Sequence, residues 1–341
     1  MNNKPAISII IPAHNAGQYL DRCLSAVARS TYSSYEIIVV DDGSIDDTAE
    51  IGRKNGAEVF KLQSRSGPAA ARGWGSKKAK GEIFFFVDAD VLIKPDTVER
   101  VVNDLTTNEN IAAVFGTYDD SPAAKNFISQ YKNLQHHFVH QHSNRDAVTF
   151  WAGCGAIHRE VFDKVGGFDQ DRYETPSIED IELGYRMKRM GYRILLDKDL
   201  QVKHLKQWSL LSLLRADILY RAMPWSKLIV KSGDMIHDLN FQLSAKISAI
   251  LIGLIVGLLP LTFFKPQLIY LILTLLVIIV ILNFKFYKFL SKRNGIVFLV
   301  STFPLHLLYY LYSGLIFGFF QVRHIFSEQK IFLKSIFGKV S

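Results

Sequence analysis

The chain has little cysteine: Cys23 and Cys154 are the only two in 341 residues. That excludes a disulfide-stapled scaffold and suits a reducing compartment. No leader is visible. Met1–Ala6 is short and polar, and the first apolar run, Ile7–Ile11, is too brief for the core of a signal peptide. The N-terminal part is therefore expected to stay in the cytoplasm. Internal repeats and low-complexity tracts are lacking too, which excludes solenoid architectures. Acidic residues are in deficit, with 32 Asp and Glu against 40 Lys and Arg and a formal net charge of +8. The basic excess gathers around apolar segments, so it reads as attraction to anionic headgroups, and no nucleic-acid partner is expected.

What is abundant is apolar side chains, 49% of the chain, unevenly spread. Up to about Lys246 charge, Gly turns and short apolar runs alternate as in a soluble domain. Beyond it the sequence is almost purely apolar. The expected organisation is a catalytic-type domain over 1–205, amphipathic interfacial helices over 206–245, a membrane region over 246–322 and a basic tail over 323–341. Trp208 and Trp225 among Arg215, Arg221, Lys227 and Lys231 mark the interfacial stretch. Candidate spans are 247–264, 267–284 and 296–320, near the roughly 20 residues that cross the hydrocarbon. With the N-terminal domain inside, the Lys285–Arg293 loop is inside too, as the excess of positive charge on that side demands. Three spans put the basic tail outside, against that rule. Either the third segment is re-entrant around Pro304 or the tail is an exception, so two and three spans both stay open. The expected location is the cytoplasmic membrane, multi-pass, with the N-terminal domain facing the cytoplasm.

Ile7–Ile11, Glu36–Val40 and Glu82–Val87 are short, mostly apolar runs, each ended by Pro, Asp or Gly. Such runs suit strands covered on both faces of a mostly parallel sheet. Helical patterns at Tyr19–Ser30, Thr48–Asn55 and Ala69–Lys80 lie between them, giving a doubly wound α/β domain. A second part, from about Asn110 to His204, carries a Gly-rich stretch at Trp151–Gly155 and a turn at Gly166–Gly167. It continues with an amphipathic helix over Ile178–Met190, a C-capping Gly191 and a strand at Arg193–Leu196.

Ligands of such folds bind beyond the carboxyl ends of the strands, so the residues there carry the chemical reading. Asp41 and Asp42 follow one strand; a carboxylate there can accept from a base imide or a ribose hydroxyl, although Asp-Gly is equally a common turn pair. Asp88–Ala89–Asp90 follows another. Two carboxylates this close are costly without a cation, and a divalent ion between them and a diphosphate relieves that cost. Gly67–Arg72 puts small residues and an Arg at a helix start, a ready anion site or simply a close-packed helix. Glu179–Asp180 opens the second amphipathic helix; the pair complements the helix dipole or supplies a general base. His204, at a strand end, is structural or a further metal ligand.

The order of segments resembles glycosyltransferase family 2, with its GT-A fold. The matching pieces are SIIIPAHN at 8–15, VVDDGSIDDT at 39–48, GPAAARGWG at 67–75, FVDAD at 86–90, GCGAIHREVFDKVGGFD at 153–169 and EDIELGYRMKRMGYRI at 179–194. The resemblance implies that Pro12, Ala13, Asn15, Asp41, Arg72 and Asp88 meet the donor nucleotide. It implies that Asp90 and His204 hold Mn2+ or Mg2+, that Asp180 is the base with Glu179 beside it, and that Trp151, Gly153, Cys154 and Gly155 line the acceptor side. The implied reaction is inverting transfer of a sugar from a nucleotide-sugar, UDP-sugar favoured because Asp41 suits the uracil imide. Processive relatives resemble one another in a Q/R-x-x-R-W motif; here Arg221–Ala222–Met223–Pro224–Trp225 has Pro where the second Arg belongs. Single-sugar transfer to a lipid or lipid-linked glycan is therefore expected over a processive polysaccharide synthase. Outside that class, the rivals are a non-catalytic nucleotide-binding membrane scaffold, a transport protein and a nucleotidyltransferase. The transport reading is disfavoured because His306 is the one ionisable group inside a candidate span.

Overall fold

In the computed structural model, which describes residues 6–108, 110–232 and 243–337, the chain divides into two units, Met1–Ser209 and Leu210–Ser341. In the first unit the three apolar runs become adjacent parallel strands. β1 (Ile7–Ala13) lies between β2 (Tyr35–Asp41) and β4 (Ile83–Val87), and β3 (Glu58–Lys61) extends the sheet beyond β2. Ile7, Ile9 and Ile11 pack in one cluster with Leu20 and Leu24 of α1 (Gly17–Val27) and Val98 and Val101 of α4 (Thr97–Thr106). The other face carries α3 (Pro68–Lys78), where a Cβ on Gly75 would stand 2.5 Å from the Ile10 side chain. Burial on both faces is why β1 lacks alternation, and each buried Ile or Phe contributes about 1.5–3 kcal/mol. α2 (Thr48–Lys54) connects β2 to β3.

The order β3-β2-β1-β4 leaves β1 in opposite directions, so β1 and β4 flank a topological switch point. Their ladder ends at Ile10–Phe86. Pro12, with no N–H to donate, lies beyond it, where β4 no longer requires a partner. β8 (Cys154–His158) runs antiparallel between β4 and β6 (Ile111–Tyr118), and β9 (Arg193–His204) pairs parallel with β6. β5 (Val91–Leu92) and β7 (Asp146–Ala147) pair antiparallel with β9. The sheet is thus mixed, parallel through its first four strands and again between β6 and β9, and the strand expected over Arg193–Leu196 continues to His204. α5 (Phe127–His142), α6 (Arg159–Lys164) and α7 (Glu179–Arg189) complete the unit. Gly191 closes α7 at φ 84°, the left-handed conformation a C-cap requires.

The second unit contains α8 (Leu210–Arg215), a π-helical stretch at Ala216–Ala222 and α9 (Met223–Ser232). Pro224 explains the π turn, since it removes one rung of the helical ladder and the chain rewinds before it. α10 (Leu243–Leu258) continues as a 3₁₀ turn over Leu259–Phe263, followed by α11 (Leu268–Leu282) and α12 (Phe284–Phe337). Among the described residues two helical stretches, Leu243–Phe263 and Phe284–Phe326, are long and apolar enough to cross a membrane, and Leu268–Leu282 is shorter. Only 17% and 22% of their apolar windows are buried, unlike the core helices of a soluble protein. Polar groups among them satisfy one another: Tyr310 donates to Asn283 at 2.6 Å and Asn283 to Ser248 at 2.9 Å, while His306 Nδ1 meets the Tyr287 hydroxyl at 3.0 Å.

Several expectations change here. Lys285–Arg293 is helix rather than loop, and it is separated from the following apolar stretch by a break at Gly295, φ 82°. Trp208 and Trp225 are each 7% exposed, so they fill cores and do not mark an interface. Lys206 lies over the Trp208 ring at 4.5 Å, and Asn126 and Ser129 bond the Trp208 backbone, which moves the boundary from 205 to Ser209. The exposed apolar groups of the stretch read as interfacial are Leu210, Leu211, Leu219 and Met223. Its residues 233–242, and 338–341 of the basic tail, lie outside the described residues.

Candidate active site

The residues expected on the donor side lie at or just beyond the carboxyl ends of β1, β2 and β4 and in the first turns of α3. Asp41 ends β2 in register with Ala13 and is fully buried. Its Oδ1 accepts from Ser44 N–H at 2.8 Å. Oδ2 has no hydrogen-bond donor, with only the Lys61 ammonium near at 3.6 Å. A buried carboxylate oxygen in that state is an acceptor awaiting an N–H or O–H. Asp42 does something else. Its carboxylate takes the N–H groups of Ser66 at 2.6 Å and Gly67 at 2.9 Å, so it folds the loop before α3 back onto β2. Gly67 sits at φ 88°, and a Cβ there would stand 2.2 Å from the Glu174 carbonyl oxygen. Asn15 is also left-handed, at φ 47°. It joins the loops after β1 and β2, its N–H donating to Ser44 Oγ at 2.9 Å and its side-chain oxygen accepting from Ile45 at 3.0 Å.

Arg72, one turn into α3, is the centre of the site. It is 4% exposed and forks between two carboxylates far apart in sequence, bonding Asp88 Oδ1 at 2.7 Å and Glu179 Oε1 at 2.8 Å. Its Nε has no hydrogen-bond partner. Burial opposes the guanidinium charge, but Asp88, Glu179 and Asp180 outweigh it and hold the group firmly protonated. Asp88 itself hangs from the end of β4, where its N–H donates to the Gly153 carbonyl at 3.1 Å.

Asp90 is placed by β5: Val91 pairs with His204, and Leu205 N–H donates to the Asp90 carbonyl at 2.8 Å. His204 Nε2 then stands 3.5 Å from Asp90 Oδ2. On its other side Nδ1 is 2.9 Å from the Asn133 side-chain oxygen, an acceptor, so Nδ1 carries the hydrogen. Nε2 therefore faces Asp90, and the pair presents one ring nitrogen and one carboxylate oxygen as donors for a divalent cation. Burial works to raise Asp90, yet His204 and Lys206 hold it below the ordinary carboxylate range; Asp88 takes the opposite shift, raised by burial against the pull of Arg72. Among the described residues no set of three His, Cys, Asp or Glu side chains converges. Two protein donors with open remaining positions suit Mg2+ or Mn2+ completed by phosphate oxygens and water, and do not suit an all-protein cage. The residues present fit such an ion.

Asp180 opens α7. Its Oδ1 accepts from Ile181 N–H at 2.8 Å and Oδ2 from Ala152 N–H at 3.1 Å. Burial first, then the Glu179 carboxylate, pushes its pKa up to about 7, and residual exposure tempers that rise. A carboxyl tuned there is matched to proton abstraction near neutrality. Glu179 is wholly occupied, with Oε1 on Arg72 and Oε2 taking the Ser177 N–H at 3.0 Å.

Residues 8–166 match glycosyl transferase family 2. They belong to that family. Glycosyltransferase GlyG of Streptococcus pneumoniae is 31% identical to the chain over 126 residues, covering 36% of the chain and 42% of the relative. An uncharacterized glycosyltransferase of Haemophilus influenzae is 35% identical over 121 residues, 34% of the chain and 48% of the relative. The chain thus spans less than half the length of either. Among solved structures, mannosyltransferase PcManGT from Pyrobaculum calidifontis, in complex with GDP-Man and Mn2+, superposes with TM-score 0.52 at 18% identity, covering 96% of this chain and 88% of that one. That likeness establishes a shared fold.

Within the glycosyl transferase domain and its continuation to His204, the expected acceptor-side residues divide. Trp151 packs edge-on against Tyr118, ring centroids 4.8 Å apart. Gly153 and Gly155 make that possible: a Cβ at the first would lie 2.6 Å from the Trp151 ring, and one at the second 2.4 Å from its carbonyl. The Cys154 side chain instead turns into the core, fully buried. Burial pushes both Cys23 and Cys154 up, so neither thiol is a nucleophile. Asn133 and Tyr118, stacked on His204 at 4.2 Å, escaped the sequence reading. Arg186 did too, although its fork binds Glu182 and the Val165 and Gly167 carbonyls and so ties the Gly166–Gly167 turn to α7. The four-residue spacing of Glu182 and Arg186 was the available signal.

Proposed function

We propose that the chain is an inverting glycosyltransferase that moves one sugar from a nucleotide-sugar, UDP-sugar favoured, to a lipid or lipid-linked glycan at the cytoplasmic face of a membrane. The observation that carries the reading is the Arg72 fork. It joins Asp88, on the donor side of the switch point, to Glu179, the residue before the base, at 2.7 and 2.8 Å. A nucleotide and an acceptor hydroxyl are thereby addressed from one buried cation. The free Oδ2 of Asp41 accepts from the base imide, Pro12 and Ala13 give it a wall, and Asp88 lies toward the ribose. Asp90 and His204 hold the divalent ion, which when bound neutralises charge on the departing diphosphate. Asp180 takes the acceptor proton, and the hydroxyl oxygen attacks the anomeric carbon from the side opposite the leaving group. Trp151 closes the acceptor side. Glu179 and Asn15 are positioning residues, the first holding Arg72 and the second joining two loops.

Membrane placement is supported by the two long apolar helices, and a multi-pass anchor would keep a lipid-linked acceptor near the domain. The test is transfer on membranes carrying the full chain, screening UDP-sugars and, because the mannosyltransferase of this fold carries GDP-Man, GDP-mannose as well. Activity is expected to need Mn2+ or Mg2+, to disappear in Asp90→Ala and Asp180→Asn, and to leave nucleotide binding intact in the latter. Full activity of Asp180→Asn rejects the base; metal-independent activity surviving Asp90→Ala rejects the metal site.

A further inference from the structure

The second unit contains a groove of about 650 Å³ formed by α11 and α12 around the break at Gly295. Phe284, Lys288, Ser291 and Lys292 lie on one arm of α12 at helical spacings of four, three and one; Val300 and Phe303 line the groove from the other arm. One end is therefore polar and cationic, the remainder apolar. Lys288 and Lys292 are exposed and stand four residues apart on one helix face, an arrangement in which like charges repel. Among the described residues neither forms an ion pair with a carboxylate. A volume of this size, an apolar wall and two uncompensated cations beside a hydroxyl match an amphiphile with an anionic head.

We propose that this groove binds an acidic phospholipid, its phosphate between Lys288, Ser291 and Lys292 and an acyl chain along Phe284, Val300 and Phe303. The inference rests on the reading of the second unit as membrane-embedded. Among the described residues no carboxylate lines the groove, so nothing there removes a proton, and the lipid is held rather than glycosylated. The site would make retention of the enzyme depend on anionic headgroups.

The full chain, purified in neutral detergent, is titrated with phosphatidylglycerol or phosphatidylcholine, and retained lipid is read by native mass spectrometry. One phosphatidylglycerol is expected in clear preference to phosphatidylcholine. Lys288→Ala with Lys292→Ala should weaken it by about 30-fold, from about 1 kcal/mol for each basic residue, whereas the double Arg variant should keep it. Inorganic phosphate at the same concentration should not compete, because the chain supplies much of the binding. Unchanged retention in the double Ala variant, equal retention of phosphatidylcholine, or displacement by phosphate would overturn the proposal. So would an isoprenyl phosphate held there to the exclusion of phosphatidylglycerol. A carbonate wash of membranes separates the two readings: release of the protein sinks membrane embedding, while a retained protein without lipid preference sinks only the groove.

Discussion

Replacing Glu179 by Gln tests how the site sets its base. Asp180 is pushed from 3.8 to about 7, by burial and next by the neighbouring Glu179 charge. That displacement amounts to about 4 kcal/mol of bias toward the protonated form. The Gln amide is close in size to the carboxylate and its one oxygen can still accept from Arg72, so that contact survives while one negative charge and the bond from the Ser177 N–H go. Two effects then act in the same direction. Asp180 loses a like-charged neighbour, and Arg72 keeps more of its positive charge uncompensated. Each lowers the Asp180 pKa, together by roughly one unit or about 1.4 kcal/mol. The rate constant kcat/KM for acceptor, measured at saturating donor and fixed metal from about pH 5 to about 8.5, should show an acid limb near 7 in the parent chain. In Glu179→Gln the limb moves to about 6, so at pH 6 the ionised fraction of the base rises roughly fivefold. The plateau should fall, because a weaker base abstracts less well. A limb that stays in place or moves upward refutes the coupling, and a parent profile without a limb near neutrality refutes Asp180 as the base.

Arg72→Lys keeps a charge but cannot fork; one carboxylate is left without its partner, and a melting curve should report a loss on the order of 3 kcal/mol with weaker donor binding. Asn133→Leu frees the His204 ring and removes the acceptor that fixes its tautomer, so the metal concentration for half-maximal activity should rise about 10- to 100-fold while an unchanged titration rejects the relay. Gly67→Ala forces a side chain against the Glu174 carbonyl from a left-handed backbone; a cost of about 1–3 kcal/mol in thermal stability is expected, and none at all would mean the loop is packed otherwise. Burial and the Asp197 carboxylate push Asp104 up to about 6. The folded chain therefore holds a proton that the unfolded chain has released above about pH 4, and this contribution is full below that value and lost as pH rises through 6. Asp104→Asn should remove the loss, gaining about 1 kcal/mol at pH 8 relative to pH 4 after allowance for partial exposure; a difference that does not depend on pH contradicts the reading.

The first half of the fold was legible because burial on both faces leaves strands nothing but apolar residues. Ile7–Ile11 and Glu82–Val87 announce themselves, and their neighbours α1 and α3 carry helical periodicity against them. The second half was not. β6 reads IAAVFGTY, and Gly116 interrupts it where a Cβ would stand 2.2 Å from the Leu200 carbonyl. α5 hides for the opposite reason: it buries Lys132, Asn133, Gln135, His137 and His140, of which His137 and His140 bond carbonyls of β6 and Asn133 bonds His204 of β9, so no clean apolar stripe survives to betray the helix. Trp208 misled because an amphipathic ring is at home both at an interface and in a core, and only contacts distinguish them.

The site follows the same division. Candidate residues at strand ends, Asp41, Asp88 and Asp90, could be picked out because topology alone puts strand ends where ligands bind. Groups that act by holding another side chain could not, since a partner such as Asn133 has no motif of its own. Arg72 belongs to both classes. As the small-residue helix start it looked like an anion site. In the fold it is nearly saturated by Asp88 and Glu179, with only Nε left unpartnered. An Arg so engaged has little charge to offer a phosphate. Its larger effect is to fix two carboxylates whose mutual repulsion would otherwise open the cleft between β4 and α7, and to leave Asp180 as the one acid of the three that is free to exchange a proton.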